Sequence, residues 1–262
     1  EQDRSVRGFY EGRERIRHAF HNNEFVLLYQ PKVNMRTGIV IGAEALIRWQ
    51  HPEKGLLSPT EFLPPIENDP LVVDIENWVI SESVKQANEW AKHGLTITVS
   101  VNICPRHLEH VSFASVLQAL LAEYPQLPSY TLELEVLETS TLLDVKSVSD
   151  TIRACNDFGV SFALDDFGTG YSSLTYLRQL PVQTLKIDQS FVRDMLDDPE
   201  DLAILDGVIG LSRAFDKRVI AEGVETAEHC EFLLRLGCEL AQGFGIARPM
   251  PAAEFEQWVK EW

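Results

Sequence analysis

Apolar, β-rich runs along this chain repeatedly enclose or end on a side chain that carries oxygen or an amine. Glu44 lies within the run 39–49, Asn102 closes Thr-Val-Ser-Val, and Glu135 sits in Leu-Glu-Leu-Glu-Val. Asp165 and Asp166 follow Phe-Ala-Leu, Lys186 and Asp188 flank Ile187, Glu222 follows Val-Ile-Ala, and Gln242 stands near the last run. One carboxylate at a strand end is usually a solvated residue or a helix cap. A carboxylate or carboxamide at almost every strand end is hard to explain as capping. Converging carboxylates repel one another and raise their own pKa values, so something positive must hold them. Oxygen donors without clustered His or Cys suit Mg²⁺ or Mn²⁺. The Asp165-Asp166 pair would let one carboxylate bridge two ions while the other holds one, the layout of two-metal phosphoryl chemistry.

The elements that must position these residues follow from periodicity. Residues 25–30 and 39–49 read as a hairpin across Asn34-Met35-Arg36-Thr37-Gly38. Ser58-Pro59-Thr60-Glu61 starts a helix, and 73–93 is a long amphipathic helix ended by Gly94. Strands are expected over 96–102, 131–136, 160–165, 182–187 and 218–221. Helices are expected over 113–123, 142–158, 172–179, 201–215, 227–236 and 252–262. Strand–helix units of about 30 residues imply a mostly parallel α/β fold. Count and length favour a (β/α) barrel over an open sheet, and no GxGxxG or Walker-type loop supports the open-sheet alternative. Barrel sites lie at the C-terminal ends of strands, where the acids cluster.

Composition narrows the chemistry further. The 262 residues are 45% hydrophobic and 24% charged, which excludes a disordered or fibrous chain. Forty acidic against 23 basic side chains leave a net charge of −17, which disfavours nucleic-acid polymers and anionic lipid as partners. A small anionic substrate remains compatible when metal ions stand between it and the carboxylates. Four cysteines without a CxxC pair suit a reducing, cytoplasmic setting, and no signal peptide or long apolar run is present. Residues 1–24, with Val6, Phe9, Tyr10, Ile16, Ala19 and Phe20 at helical spacing, read as a lead-in helix from an upstream segment, or equally as an N-terminal helix that simply packs on the domain. Residues 25–262 read as one barrel domain, and a start at Glu1 suggests a piece of a longer protein. The seven histidines show no ligand spacing, and Cys104 reads as a small buried residue.

Five motifs stand in order: Glu44-Ala45-Leu46, Asp165-Asp166-Phe167-Gly168-Thr169-Gly170-Tyr171, Lys186-Ile187-Asp188, Ala221-Glu222-Gly223-Val224-Glu225 and Gln242-Gly243-Phe244. Together they resemble the signature of the EAL-domain cyclic-di-GMP phosphodiesterases. The resemblance implies a modified (β/α)₈ barrel with an antiparallel strand, two Mg²⁺ or Mn²⁺ ions, and hydrolysis of cyclic-di-GMP to linear pGpG. It implies that Glu44, Asn102, Glu135 and Asp165 hold one ion, and Asp165, Asp166 and Glu222 the other. Lys186 would sit beside the attacking water, with Gln242 helping to place it. Arg48 would grip a phosphate, Gln30 and Leu46 would line the cleft, and Glu225 would meet a guanine. Gly168, Thr169, Gly170 and Tyr171 would form a loop anchored by Glu138 that links the metal site to a homodimer contact. Ca²⁺ would hold substrate without cutting it and so inhibit, and an upstream sensory domain would supply the input. Leu137 stands where many relatives have Thr, and Phe244-Gly245-Ile246 is a variant segment; neither touches a proposed ligand. Two rival readings use the same residues: a module that binds cyclic-di-GMP without cutting it, and a barrel enzyme in which Lys186 abstracts a proton beside a carboxylate.

Overall fold

Two long strands, β1 (Phe25–Asn34) and β2 (Ile39–His51), pair antiparallel with Gln30 opposite Glu44. A short β3 (Gly55–Leu57) extends β2 on its outer side. The remaining strands are β4 (Thr98–Ile103), β5 (Leu132–Leu137), β6 (Ser161–Phe167), β7 (Thr184–Ile187), β8 (Arg218–Ala221) and β9 (Leu240–Ala241). From β2 through β4 to β9 each pairs parallel with the next, and β9 then meets β1 antiparallel. The sheet therefore closes into an eight-stranded mixed barrel, with β1 the strand that runs against the rest and β3 an addition outside it. This computed structural model describes the backbone of residues 2–138, 144–170 and 173–262, and within them the side chains from residue 12 onward except 173, 175 and 176.

Alternation along each strand sorts the side chains. Val99, Val101, Leu132, Leu134, Phe162, Leu164, Leu185 and Ile187 are buried apolar residues that pack with the surrounding helices. Their polar neighbours in sequence, among them Ser100, Glu133, Glu135, Thr184 and Lys186, are also buried and bond to one another across the sheet. The barrel interior is thus filled by charged and hydroxylated side chains rather than by the branched aliphatic layers usual for this architecture. Sheet on one side and helices on the other enclose the hydrophobic core. Tyr29, Trp90 and Phe255 pack their rings there, Trp90 lying 4.8 Å from each of the other two.

The helix expected from residue 142 starts at Val145 among the described residues, because Asp144 accepts the backbone N–H groups of Lys146 and Ser147 and caps it; residues 142 and 143 lie outside the described set. Helix Ala227–Leu236 ends at Gly237, whose φ of 87° closes its last turn. Short helices Pro105–Leu108 and Gln189–Arg193, a 3₁₀ turn at Pro64–Ile66 and β3 are additions to the sequence reading; each is too brief to show a periodic pattern. Helix Gln2–His21 lays Ile16 and Ala19 into the core, while Phe9 and Tyr10 have side chains outside the described set. No helix among the described residues is long and apolar enough to cross a membrane.

Candidate active site

The parallel register brings the strand-end acids to one end of the barrel. Asn102 pairs with Glu135 across β4 and β5, and Leu137 pairs with Asp165 across β5 and β6. One oxygen from each of Glu44, Glu135 and Asp165 falls in a group spanning no more than 4.8 Å, and Asp165, Asp166 and Glu222 form a second group on the same criterion. Asp165 belongs to both groups. All the donors are hard oxygens, which fits Mg²⁺ or Mn²⁺ and not a thiolate- or imidazole-loving metal.

Strict alternation would send Asp165 and Asp166 to opposite faces of the sheet. The pairing of β6 with β7 shifts register between Leu164 and Phe167, and Asp166 takes a left-handed backbone with φ 52°. This bulge turns successive carboxylates toward one site, at the cost of a conformation that non-glycine residues rarely adopt. Gly168 follows with φ 105° and donates its N–H to Glu138 at 2.8 Å; the Gly170 N–H reaches the same carboxylate oxygen at 3.3 Å. Buried Glu138 therefore anchors the segment that leaves β6. Thr169 is exposed and donates its hydroxyl to the Asp166 carbonyl. Tyr171 lies outside the described residues.

Lys186 is 1% exposed, with Nζ 2.5 Å from Glu135, 2.8 Å from Glu222, 3.0 Å from Asp165 and 3.7 Å from Glu44. Burial alone would strip its proton, but the ring of acids outweighs it and holds the amine protonated well above its ordinary range. Glu222 and Glu44 are pushed up by burial, against the pull of Lys186 and with the repulsion of neighbouring acids adding to the rise. Burial would raise Glu135 too, yet Lys186 and Lys32 overcome it and hold this carboxyl at about 2. Asp166 is raised to about 7 by burial first, then by the charge of Asp165 and a hydrogen bond with Asp188.

Amides complete the floor and rim. Asn102 Nδ2 donates to Glu44 Oε1 at 2.6 Å, which leaves its carbonyl end for a cation. Gln242 Nε2 donates to Glu44 Oε2 at 2.6 Å and to Gln30 Oε1 at 2.9 Å. Gln242 Oε1 is buried without a hydrogen-bond partner among the described residues, so it is suited to accept from a water or ligand at the site. Arg48 is half-buried, and Glu225 is exposed at the mouth of a cavity of about 240 Å³ lined also by Gln30, Leu46, Gln242 and Phe244. A larger cavity of about 1030 Å³ opens on the other side of Leu46 and is bounded by Val72, Glu76, Asn102, Cys104 and Arg106. Cys104 is half-buried on that wall rather than fully buried, and its desolvated thiol is pushed up to about 12, which makes it a poor nucleophile.

Sequence reasoning missed Lys32, which is 4% exposed and reaches Glu135 from below, and Glu133, which bonds Ser100 and Thr184 deeper in the barrel. A lysine inside the run Tyr-Gln-Pro-Lys-Val reads as a solvent-facing residue. The available signal was that Gln30 and Lys32 share one parity in an otherwise apolar strand. Asp188 divides its side chain between Asp166 and the helix Gln189–Arg193, whose N-terminus it caps through the Ser190 N–H.

The EAL domain family model matches residues 13–249. Among curated proteins, the chain is 39% identical over 240 residues to the bifunctional diguanylate cyclase/cyclic di-GMP phosphodiesterase MucR of Pseudomonas aeruginosa, covering 91% of this chain and 35% of that protein. It is 37% identical to the cyclic di-GMP phosphodiesterase PdeR of Escherichia coli, covering 94% of this chain and 37% of the other. The chain thus spans little more than a third of these two relatives. A solved structure of the PaMucR phosphodiesterase in complex with c-di-GMP superposes with a TM-score of 0.88 at 38% identity, covering 94% of this chain and 99% of that one.

Proposed function

The chain belongs to the EAL-domain family, and on that premise we propose that it hydrolyses cyclic-di-GMP to linear pGpG. The observation that carries this reading is the pair of carboxylate groups sharing Asp165, set between two cavities that meet at Leu46. Two divalent ions, Mg²⁺ or Mn²⁺, fit this donor set: Glu44, Asn102, Glu135 and Asp165 for one, Asp165, Asp166 and Glu222 for the other. Such ions would supply Lewis-acid activation of water and neutralise the phosphate.

The chain's own residues then have defined tasks. The Arg48 guanidinium is a fork-shaped donor suited to a phosphate, and its place beside Gln30 and Leu46 on the small cavity puts it at the cleft. Glu225 presents a carboxylate that matches the paired N–H donors on the edge of a guanine. Gln242, tied to Glu44 and Gln30, offers its buried Oε1 to the attacking water. The water oxygen bonds to phosphorus and the P–O3′ bond breaks; one water proton ends on the departing 3′ oxygen, which leaves as a hydroxyl, while the water oxygen stays on the new 5′-phosphate monoester. Lys186, kept protonated by its acids, donates at Nζ to stabilise negative charge in that step. The Glu44-Ala45-Leu46 and Asp165-Asp166-Phe167-Gly168-Thr169-Gly170 motifs, occurring together, argue against the proton-abstracting barrel enzyme.

Incubating the protein with cyclic-di-GMP and Mg²⁺ and separating the products by chromatography tests the reading. Appearance of pGpG is expected. Tight binding without turnover would make the chain a binding module instead. In the full protein we place this domain beneath an upstream sensory segment and in a homodimer, with the segment 166–174 coupling contact to site.

A further inference from the structure

Lys32 is a buried charged residue of this barrel to which the proposed chemistry gives no task. It rises from β1, the antiparallel strand, and its Nζ donates to Glu135 Oε1 at 2.5 Å and to Ser100 Oγ at 2.6 Å, with Glu133 Oε1 at 3.4 Å. Glu135 Oε2 meets Lys186 at 2.5 Å. One carboxylate thus spans two buried ammonium groups, an oxygen to each. Below, Glu133 is held by Ser100 and Thr184 at 2.9 Å and by Arg218 at 3.1 Å. Arg218, Glu133, Lys32, Glu135 and Lys186 form a column of alternating charge that rises through the barrel to the acids.

We propose that Lys32 is a positioning residue: by engaging one oxygen of Glu135 from beneath, it orients that carboxylate so that a single oxygen faces Glu44 and Asp165 in the metal group. The proposal rests on the metal-dependent reading above. A carboxylate on a flexible Glu side chain has two oxygens and several rotamers to choose among, and a fixed hydrogen bond to one oxygen removes most of that freedom. Lys32 touches neither the cleft nor any atom that would react, so its influence must pass through Glu135.

Replacing Lys32 with Met keeps the bulk and deletes the donor. Glu133 retains Arg218 and two hydroxyls, and Glu135 retains Lys186, so neither acid is stranded. Mn²⁺ binding to wild type and Lys32→Met is measured by loss of the free-ion paramagnetic resonance signal, alongside hydrolysis as a function of Mn²⁺. Affinity is expected to fall roughly 10–100-fold, the range typical when the hydrogen-bond partner of a ligand is removed. Hydrolysis should recover as Mn²⁺ is raised. The sign is diagnostic: deleting a positive charge near the acids would by itself tighten binding of a cation. A folded Lys32→Met protein that binds Mn²⁺ as tightly as wild type, or more tightly, overturns the proposal. So does a loss of kcat that saturating Mn²⁺ leaves in place. The double variant Lys32→Met/Glu133→Gln guards against a folding failure by lowering the charge on the floor. It should stay weak for Mn²⁺; recovery of wild-type affinity would mean that Lys32 merely neutralises Glu133, and would also overturn the proposal. Wild-type protein that binds no Mn²⁺ would remove the metal-dependent reading itself, and the proposal with it.

Discussion

Lys186 stands within 4 Å of four carboxylates while being 1% exposed, so at the residue scale its removal bears on stability and on the proposed chemistry together. Removing one member of a buried ionic network strands the others, at a cost of about 3–5 kcal/mol. Lys186→Met should therefore melt lower in EDTA and regain part of the loss when Mn²⁺ is added, followed by circular dichroism; an unchanged melting point in EDTA would show that the acids need no such partner. The same variant should lose about 10²-fold or more in kcat. Proton linkage gives a second expectation. Asp166 has its pKa raised from 3.8 to about 7, so its ionisation opposes folding as pH climbs through that window. Glu135 works the other way: held at about 2 against an ordinary 4.5, it stabilises the fold above pH 4.5 and loses that contribution as pH falls toward 2. Since a cation needs the ionised form of Asp166, Mn²⁺ should bind more tightly at pH 8 than at pH 6 and release protons as it binds. Calorimetry in buffers of different ionisation enthalpy reads both effects, and a pH-independent affinity would contradict the assignment of Asp166 as a ligand.

The segment after β6 is where element geometry controls the site. The bulge within β6 aims Asp166, and Glu138 from the end of β5 holds Gly168 and Gly170 of that segment by their backbone N–H groups. A methyl group on Gly170 would lie 2.8 Å from Glu138 Oε1 and 2.9 Å from its Cδ, too close for either to remain in place. Gly170→Ala should push Glu138 aside, speed amide exchange at Gly168, and weaken Mn²⁺ binding through Asp166. Wild-type exchange and affinity in that variant would show that the anchor and the site are independent.

At the scale of the molecule, the helix Gln2–His21 is packed against the hydrophobic core by Ile16 and Ala19. Its Arg13 and Arg17 both meet buried Asp69, which accepts the Leu71 N–H at the start of the helix Leu71–Lys92. That second helix supplies Val72, Ile75, Glu76 and Val79 to the large cavity, so Asp69 joins the helix Gln2–His21 to the element that forms the wall of that cavity. Ile16→Ala should cost about 2–5 kcal/mol in urea unfolding, the range for truncating a buried aliphatic side chain; a loss under about 1 kcal/mol would mark the helix as an appendage. The proposed coupling between a homodimer contact and the site would be reciprocal: cyclic-di-GMP with Ca²⁺ should tighten such a dimer by the factor that dimerisation tightens their binding. Sedimentation with and without both ligands checks this, and a fully active monomer under each condition would end the idea.

Strand–helix periodicity and the acids at strand ends made the barrel and the acidic cluster legible from sequence, because both depend on local pattern: alternation fixes which side chains share a face, and parallel strands bring their C-terminal ends together. The family motifs named the same positions. What only the tertiary structure decided are features produced by register and closure. The bulge that turns Asp165 and Asp166 toward one site arises from the pairing of β6 with β7, which no window of sequence contains. Lys32 is buried because β1 closes the barrel between β2 and β9 and faces its polar positions inward; the same ten residues on an open sheet would present that lysine to water. Partners such as Lys32 and Glu135, 103 residues apart in the chain, meet only when the sheet closes, and long-range juxtaposition of this kind leaves no periodic trace.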